Sequence, residues 1–137
     1  QMNLIRALAN TVPVVQSFNF SPGIQLMLKM TRLLKESLKD WDVEISETHH
    51  RFKKDKPSGT AKMLVAAVGR EVPISSLRLG NIPGDHTIAF GGLGEILSIS
   101  HRVLSRRTFA EGVILSADFA LRRQSGYFTF TDVLFQE

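Results

Sequence analysis

The chain has 137 residues, 43% of them apolar, which suits one globular domain with a sizeable core. It contains no cysteine, which excludes disulfides and thiolate metal sites. Seventeen Lys and Arg against 13 Asp and Glu give a net charge of +4, which does not by itself indicate a binding partner. No apolar run approaches the ~20 residues of a membrane span.

The first part of the chain predicts a strand, a helix and a second strand. Residues 12–20 form a β-rich run, and Ser21-Pro22 opens a helix that we expect to end near Asp40, because Ser suits the N-cap and Pro the first helical position. Apolar and polar residues then alternate over 43–49. This alternation predicts a strand whose one face carries Val43, Ile45, Glu47 and His49.

The second part predicts a helix, three strands, a long helix and a terminal segment. Ser58 caps the first of these helices and Ser105 starts the long one. The last segment, 127–135, is apolar and reads as a strand or a turn. The three strands are expected over residues 74–79, 86–90 and 94–103.

These elements predict an α+β fold in a single domain, 1–137, with an open mixed sheet of about four strands and flanking helices. We expect three of the strands to be antiparallel neighbours, with a hairpin turn at Gly91-Gly92-Leu93-Gly94. The last strand is apolar on both faces, with Ile96 opposite Leu97 and Ile99. A sheet that is apolar on both faces needs a second cover, so we expect oligomerisation through the sheet.

One segment predicts an anion site beside a proton donor. A helix that starts at Ser58 has free N–H groups in its first turn, Gly59 allows close approach to the backbone, and Thr60 adds a hydroxyl. Lys53 can balance the charge of a bound carboxylate or phosphate, and His49 can donate a proton near neutral pH. The segment 49–56 concentrates basic or potentially basic side chains: His49, His50, Arg51, Lys53, Lys54 and Lys56.

Each of these features also has a simpler interpretation. A Ser-Gly-Thr helix start is usually only a cap, and a basic loop is usually solvated. We expect no metal site, since His49 and His50 point to opposite faces of a strand and lack a third ligand. Glu47 shares a face with His49 but lies roughly 7 Å along the strand, so we expect it either to orient His49 only indirectly or to pair with a neighbouring strand instead. Structural roles are expected for His86 and His101.

Taken together, the residues from Glu47 to Ala61 resemble the signature of the dihydrodipicolinate reductases, Glu-x-His-His-x-x-Lys-x-Asp-x-Pro-Ser-Gly-Thr-Ala. The resemblance runs from about Val12 to Leu134. In the block Gly84-Asp85-His86-Thr87, Asp85 replaces a Glu of the family pattern. The other matching blocks are Asn19-Phe20-Ser21-x-Gly23, Gly84-Asp85-His86-Thr87, Gly94-Glu95 to His101 with Ser105-Arg106 and Thr108-Phe109-Ala110-x-Gly112, and Asp132-Val133-Leu134.

The resemblance implies the C-terminal domain of a cytoplasmic, homotetrameric oxidoreductase of lysine and diaminopimelate biosynthesis. Its substrate would be a small dicarboxylate, reduced to tetrahydrodipicolinate with NADH or NADPH. It implies that His49 is the general acid and that Lys53 assists it and binds substrate. It further implies substrate binding by His50, Ser58, Gly59, Thr60 and Arg106, and a place near the nicotinamide for Asn19 and Phe20.

One part of the family pattern is not found. The Gly-rich turn of a dinucleotide-binding domain is absent, and Gln1 precedes Met2, so we expect a fragment that binds dinucleotide poorly and does not turn over alone. Two alternatives stay open at this point. The chain could be a non-catalytic basic module that binds nucleic acid through residues 49–56, or a structural remnant of the same fold. We expect no nucleic acid as a partner, because the aromatic residues do not interleave with the basic ones, and no membrane, because no apolar run is long enough to span one.

Overall fold

The computed structural model describes residues 2–136, which form two compact units. The first unit contains residues 2–25 and 107–136, and the second contains residues 26–106. No linker or shift in composition marks this division in the sequence. No helix among the described residues is both long and apolar enough to cross a membrane.

The elements follow the expected α+β order with additions at both ends. In chain order they are α1 (Met2–Leu8), β1 (Pro13–Gln16), α2 (Pro22–Ser37), β2 (Asp42–His49), α3 (Gly59–Val68), β3 (Ile74–Arg78), β4 (Asp85–Gly91), β5 (Ile96–Arg102), α4 (Arg107–Leu121), β6 (Gly126–Thr129) and α5 (Phe130–Phe135).

The second unit is built on a four-stranded mixed sheet in the order β3-β2-β4-β5. Strand β2 pairs in parallel with β3, and β2, β4 and β5 are antiparallel neighbours. The β4–β5 turn is closed by a 2.9 Å hydrogen bond from the Gly92 amide to the Glu95 carbonyl. The predictions of about four strands, of three antiparallel neighbours and of this hairpin are therefore confirmed.

The core of this unit lies on one face of the sheet. The alternation along β2 buries every second side chain, from Val43 to His49. Ile45, Leu64 of α3 and Ile88 of β4 are completely buried, so α3 packs over the middle of the sheet. Burial of such side chains contributes about 2 kcal/mol each to stability. The same packing fixes the position of the α3 N-terminus relative to the end of β2.

The opposite face of the sheet is less apolar than the sequence suggested. The register aligns Ser46, Thr87 and Ser100 in one row across β2, β4 and β5, with 2.9 Å between the hydroxyls of Thr87 and Ser100. Large apolar side chains occur toward the edges, where Ile96 is 73% exposed and Leu77 45% exposed. The face thus offers small hydroxylated residues in its centre and exposed apolar groups at its sides.

The first unit contains a small parallel sheet that the sequence did not reveal. Strand β1 is four residues long, shorter than the predicted run 12–20, and it pairs with β6 near the other end of the chain. The terminal segment 127–135 divides into the end of β6 and the helix α5, which Thr129 and Asp132 begin with a capping box. Helix α1 was not predicted. Such short elements depend on partners distant in sequence, which local periodicity does not report.

Candidate functional site

The predicted general acid, His49, and the predicted anion-binding residues 58–60 lie in the second unit, at the end of β2 and the start of α3. His49 is the last residue of β2 and is 7% exposed. Helix α3 begins at Gly59 with Ser58 as its N-cap. Both elements belong to the packed core of this unit, so the side chains at their ends are held on ordered structure.

Glu47 contacts His49 directly, which corrects the expectation of an indirect influence. Glu47 Oε2 lies 2.5 Å from His49 Nδ1, although the two residues are separated by a full pleat of β2. Arg78 donates two hydrogen bonds to the same carboxylate, from Nη1 to Oε2 at 2.9 Å and from Nη2 to Oε1 at 2.8 Å. The expectation was wrong because it considered only the backbone spacing along the strand and not the reach of the two side chains. The parallel register pairs His49 with Arg78, which places the guanidinium beside the Glu47 carboxylate.

The electrostatics of this group favour an ionised carboxylate beside a neutral imidazole. Burial raises the pKa of Glu47, but hydrogen bonds from Arg78, Ser76 and His49 outweigh it and lower the pKa to about 2. Burial also lowers the pKa of His49, with Lys53 and Arg78 acting in the same direction, and the hydrogen bond to Glu47 opposes them. At neutral pH Glu47 is therefore charged and His49 is predominantly neutral.

The N-terminus of α3 is partly occupied by the protein itself. The Ser58 hydroxyl accepts a hydrogen bond from the Ala61 amide at 3.1 Å, and the Ser58 amide donates to Glu47 Oε1 at 3.2 Å. The expectation that the first-turn N–H groups are free is thus wrong for the Ser58 and Ala61 amides. Gly59 is exposed, and a Cβ added there would meet nothing within 4 Å. Thr60, also a predicted ligand residue, is 7% exposed beside it.

His86 joins this group, although the sequence indicated only a structural role. Its Nε2 lies 3.1 Å from the Ser58 hydroxyl, and its ring packs edge-on against His49 with 5.1 Å between centroids. Burial lowers the pKa of His86 to about 3. Its Nδ1 is buried without a hydrogen-bond partner among the described residues. The register that sets His86 opposite Glu47 brings it here, and no local sequence signal reports that register.

Lys53 lies on the loop between β2 and α3, where its ammonium nitrogen is 2.7 Å from Asp55 Oδ1. This contact lowers the pKa of Asp55. Arg78 anchors the same loop by donating to the Asp55 carbonyl at 2.7 Å. His50 is half-buried, and its ring stands 6.4 Å from that of Phe52 between centroids. An incoming anion would therefore compete with Asp55 for Lys53.

The other predicted binding residues lie away from these contacts. Asn19 and Phe20 belong to the first unit, where the Asn19 side chain accepts a hydrogen bond from the Ser21 amide at 2.8 Å. The Phe20 ring packs 5.3 Å from that of Phe130. Arg106 is exposed at the end of the second unit. Their roles toward substrate and cofactor stay predictions.

Residues 2–136 contain no group of three or more His, Cys, Asp or Glu side chains arranged to hold a metal ion. The glycines at 91, 92 and 94 lie in and around the β4–β5 turn and do not open a helix. These three glycines therefore do not form the phosphate-binding turn of a dinucleotide site, which needs the N-terminus of a helix.

Comparison with known proteins gives a consistent result. A family model described as "Dihydrodipicolinate reductase, C-terminus" matches residues 23–134. A 4-hydroxy-tetrahydrodipicolinate reductase of Thermosipho africanus is 50% identical over 131 residues, covering 96% of this chain and 60% of the relative. The protein of the same name from Aquifex aeolicus is 36% identical and covers 98% and 59%.

Among solved structures, the chain resembles a dipicolinate-bound dihydrodipicolinate reductase from Paenisporosarcina sp. TG-14. The TM-score is 0.76 at 27% sequence identity, covering 93% of this chain and 58% of that one. The chain thus spans about 60% of the length of the curated relatives that it matches.

Proposed function

The chain belongs to the dihydrodipicolinate reductase family, as its C-terminal part, and from this premise we propose that it is the substrate-binding and proton-donating half of an NAD(P)H-dependent 4-hydroxy-tetrahydrodipicolinate reductase. Its ligand would be a small dicarboxylate of lysine and diaminopimelate biosynthesis in the cytoplasm. NADH or NADPH would supply the hydride, bound mainly by residues that these 137 do not include.

The observation that carries this proposal is the grouping of an acid, a cation and an exposed helix N-terminus at one end of the sheet. His49 ends β2, Lys53 lies on the loop that follows, and Gly59 begins α3. A carboxylate is stabilised by N–H donors and by the positive end of a helix dipole. The amide of Gly59 and the hydroxyls of Ser58 and Thr60 would bind one carboxylate.

The same grouping supports proton donation by His49. Its Nδ1 is engaged by Glu47, so Nε2 is the nitrogen left to face a ligand. A dianionic ligand beside His49 favours the imidazolium form, since a nearby opposite charge raises the pKa of a cationic acid. Substrate binding would therefore load a proton onto Nε2, which His49 would then deliver to the ring as it is reduced. His50 and Arg106 would help to hold the substrate, and Asn19 and Phe20 would lie near the nicotinamide.

Calorimetry with pyridine-2,6-dicarboxylate tests the anion site on the chain itself. We expect saturable binding that Lys53→Ala weakens by roughly 10- to 100-fold, since a charged hydrogen bond contributes about 1.5–3 kcal/mol. Lys54→Ala, which removes an exposed neighbouring lysine, is the matched control and should change affinity little. Absence of binding by the unaltered chain would overturn the proposal. Comparable, strongly salt-dependent binding to DNA or RNA would favour the basic-module alternative instead.

We also propose that the chain assembles as a homotetramer through the open face of the four-stranded sheet. The support is the combination on that face of small side chains, which allow close approach, with the exposed Ile96 and Leu77 at its sides. Light scattering coupled to size-exclusion chromatography measures the mass directly. A chain of 15.3 kDa that elutes as a clean monomer at micromolar concentration would refute this assembly.

A further inference from the structure

Glu47 is a buried carboxylate for which the proposed chemistry has no direct use. It is 1% exposed, and burying an isolated charge is costly unless it is paired and hydrogen-bonded. Here the charge is paired with Arg78 through two hydrogen bonds. The carboxylate also accepts hydrogen bonds from two groups of the candidate site, the His49 imidazole and the Ser58 amide.

We propose that Glu47, held by Arg78, is a positioning residue that fixes His49 as the Nδ1–H tautomer, with Nε2 as its working nitrogen, and ties the acid to the start of α3. The role in proton transfer rests on the proposed function. The tautomer itself does not, because it follows from contacts present without any ligand.

The tautomer follows from the hydrogen-bond inventory. An ionised carboxylate only accepts hydrogen bonds, so the ring nitrogen 2.5 Å from Glu47 Oε2 must carry the proton. Arg78 cannot release a proton and keeps the carboxylate ionised. A neutral imidazole has one N–H, which leaves the lone pair on Nε2. Within residues 2–136, Nε2 makes no hydrogen bond, and the His49 side chain retains 9% exposure.

The other neighbours of His49 do not offer a competing acceptor. Lys53 and Arg78 are cationic donors, and both disfavour the charged imidazole. The ring of His86 packs edge-on, and its Nε2 is directed to the Ser58 hydroxyl. On the remaining side, a Cβ added to Gly84 would lie 3.0 Å from His49 Nε2. Glycine at this position keeps the working edge of the ring clear of a side chain.

The same carboxylate couples two parts of the site. Oε2 contacts the imidazole and Oε1 accepts from the Ser58 amide. The Glu47 carboxylate therefore fixes the position of His49 relative to the start of α3, the helix that would bind the substrate carboxylate. Positioning of this kind reduces the cost of bringing reacting groups into register.

Nitrogen-15 NMR of the uniformly labelled 137-residue chain, without ligand, reads the tautomer directly. We expect Nδ1 of His49 to give the resonance of a protonated ring nitrogen and Nε2 that of an unprotonated one at neutral pH. The opposite assignment, or the averaged pattern of a freely exchanging imidazole, would overturn the proposal.

The substitution Glu47→Gln sharpens the test. Oε1 accepts from two fixed donors, Arg78 Nη2 and the Ser58 amide, whereas Oε2 accepts from only one fixed donor besides the His49 ring, Arg78 Nη1. The amide oxygen should therefore occupy the Oε1 position and direct its NH2 toward His49. An amide donor facing Nδ1 favours the Nε2–H tautomer, and the two ring resonances should exchange their character. Glu44→Gln is the matched control, because Glu44 lies on the same strand but is exposed on the opposite face and bonds Ser75. It should leave His49 unchanged.

The outcomes separate the two proposals. If Glu47→Gln unfolds the chain, the tautomer of the unaltered protein still decides. An unchanged tautomer in a folded Glu47→Gln chain would show that Glu47 is only structural and overturn the positioning role. Failure to bind pyridine-2,6-dicarboxylate, with His49 still the Nδ1–H tautomer, would overturn the proposed function and leave the positioning of His49 by Glu47 standing.

Discussion

The buried His86 should make the stability of the second unit fall as the pH falls. Its pKa is lowered by burial from 6.5 to about 3, and His49 and His101 disfavour its charged form further. The unfolded chain then takes up a proton that the folded chain resists. The stability is fully present above the unfolded-state pKa of 6.5 and is lost progressively as the pH falls from 6.5 to about 3.

The expected loss follows from these two pKa values. The free energy of unfolding decreases by about 1.4 kcal/mol for each pH unit inside this window. Relative to neutral pH, His86 alone should cost about 1.4 kcal/mol at about pH 5.5 and about 2.7 kcal/mol at about pH 4.5. Losses of this size are a large part of a typical domain stability of roughly 5–15 kcal/mol.

Urea unfolding followed by fluorescence measures this loss. Trp41 is the single tryptophan and lies in the same unit, close to Gly92. His86→Gln removes the titration while retaining an amide able to bond the Ser58 hydroxyl, and His50→Gln is the control at a half-buried histidine. We compare the pH slopes and not the absolute stabilities. Equal slopes for the unaltered chain and His86→Gln would refute the reasoning.

Three further predictions concern packing, binding and assembly. Gly112→Ala should lower the free energy of unfolding by about 3 kcal/mol, because the new Cβ would lie 1.9 Å from the Phe20 carbonyl oxygen. Gly94→Ala, with nothing within 4 Å, should cost far less, and urea unfolding followed by circular dichroism measures both. Gly59→Ala should leave the free energy of unfolding nearly unchanged but weaken the binding of pyridine-2,6-dicarboxylate roughly tenfold in calorimetry, since a methyl group obstructs the exposed amide. An unaltered affinity would contradict the proposed carboxylate site at the start of α3. Ile96→Glu should convert the proposed homotetramer to monomers in light scattering without changing the circular dichroism of the chain, and an unchanged mass would exclude this face as the interface.

Much of the second unit could be predicted from local pattern. The alternation from Val43 to His49 predicts β2 and its buried face, and the Ser58 cap predicts the start of α3. The signature residues predict the family, which the comparisons confirm. These features depend on residues within a few positions of one another. The alternation of apolar and polar residues and the N-cap serine can therefore be recognised directly in the sequence.

The electrostatic centre could not be predicted in the same way. Arg78 is 31 positions from Glu47, and His86 is 28 positions from Ser58. Nothing local marks Arg78 as the partner of a buried carboxylate, and spacing along the strand suggested that Glu47 and His49 would not touch. The cross-strand register decides these contacts, because it selects which side chains are neighbours on the buried face.

The residue pattern predicts the family, the strands of the four-stranded sheet and the hypothesis of a carboxylate site beside His49. The folded chain is what shows that Glu47 contacts His49, that Arg78 is paired with Glu47, and that the Ser58 amide donates to the same carboxylate. The physical reason is that a hydrogen bond depends on the distance and angle between groups brought together by folding, whereas periodicity and capping are properties of adjacent residues.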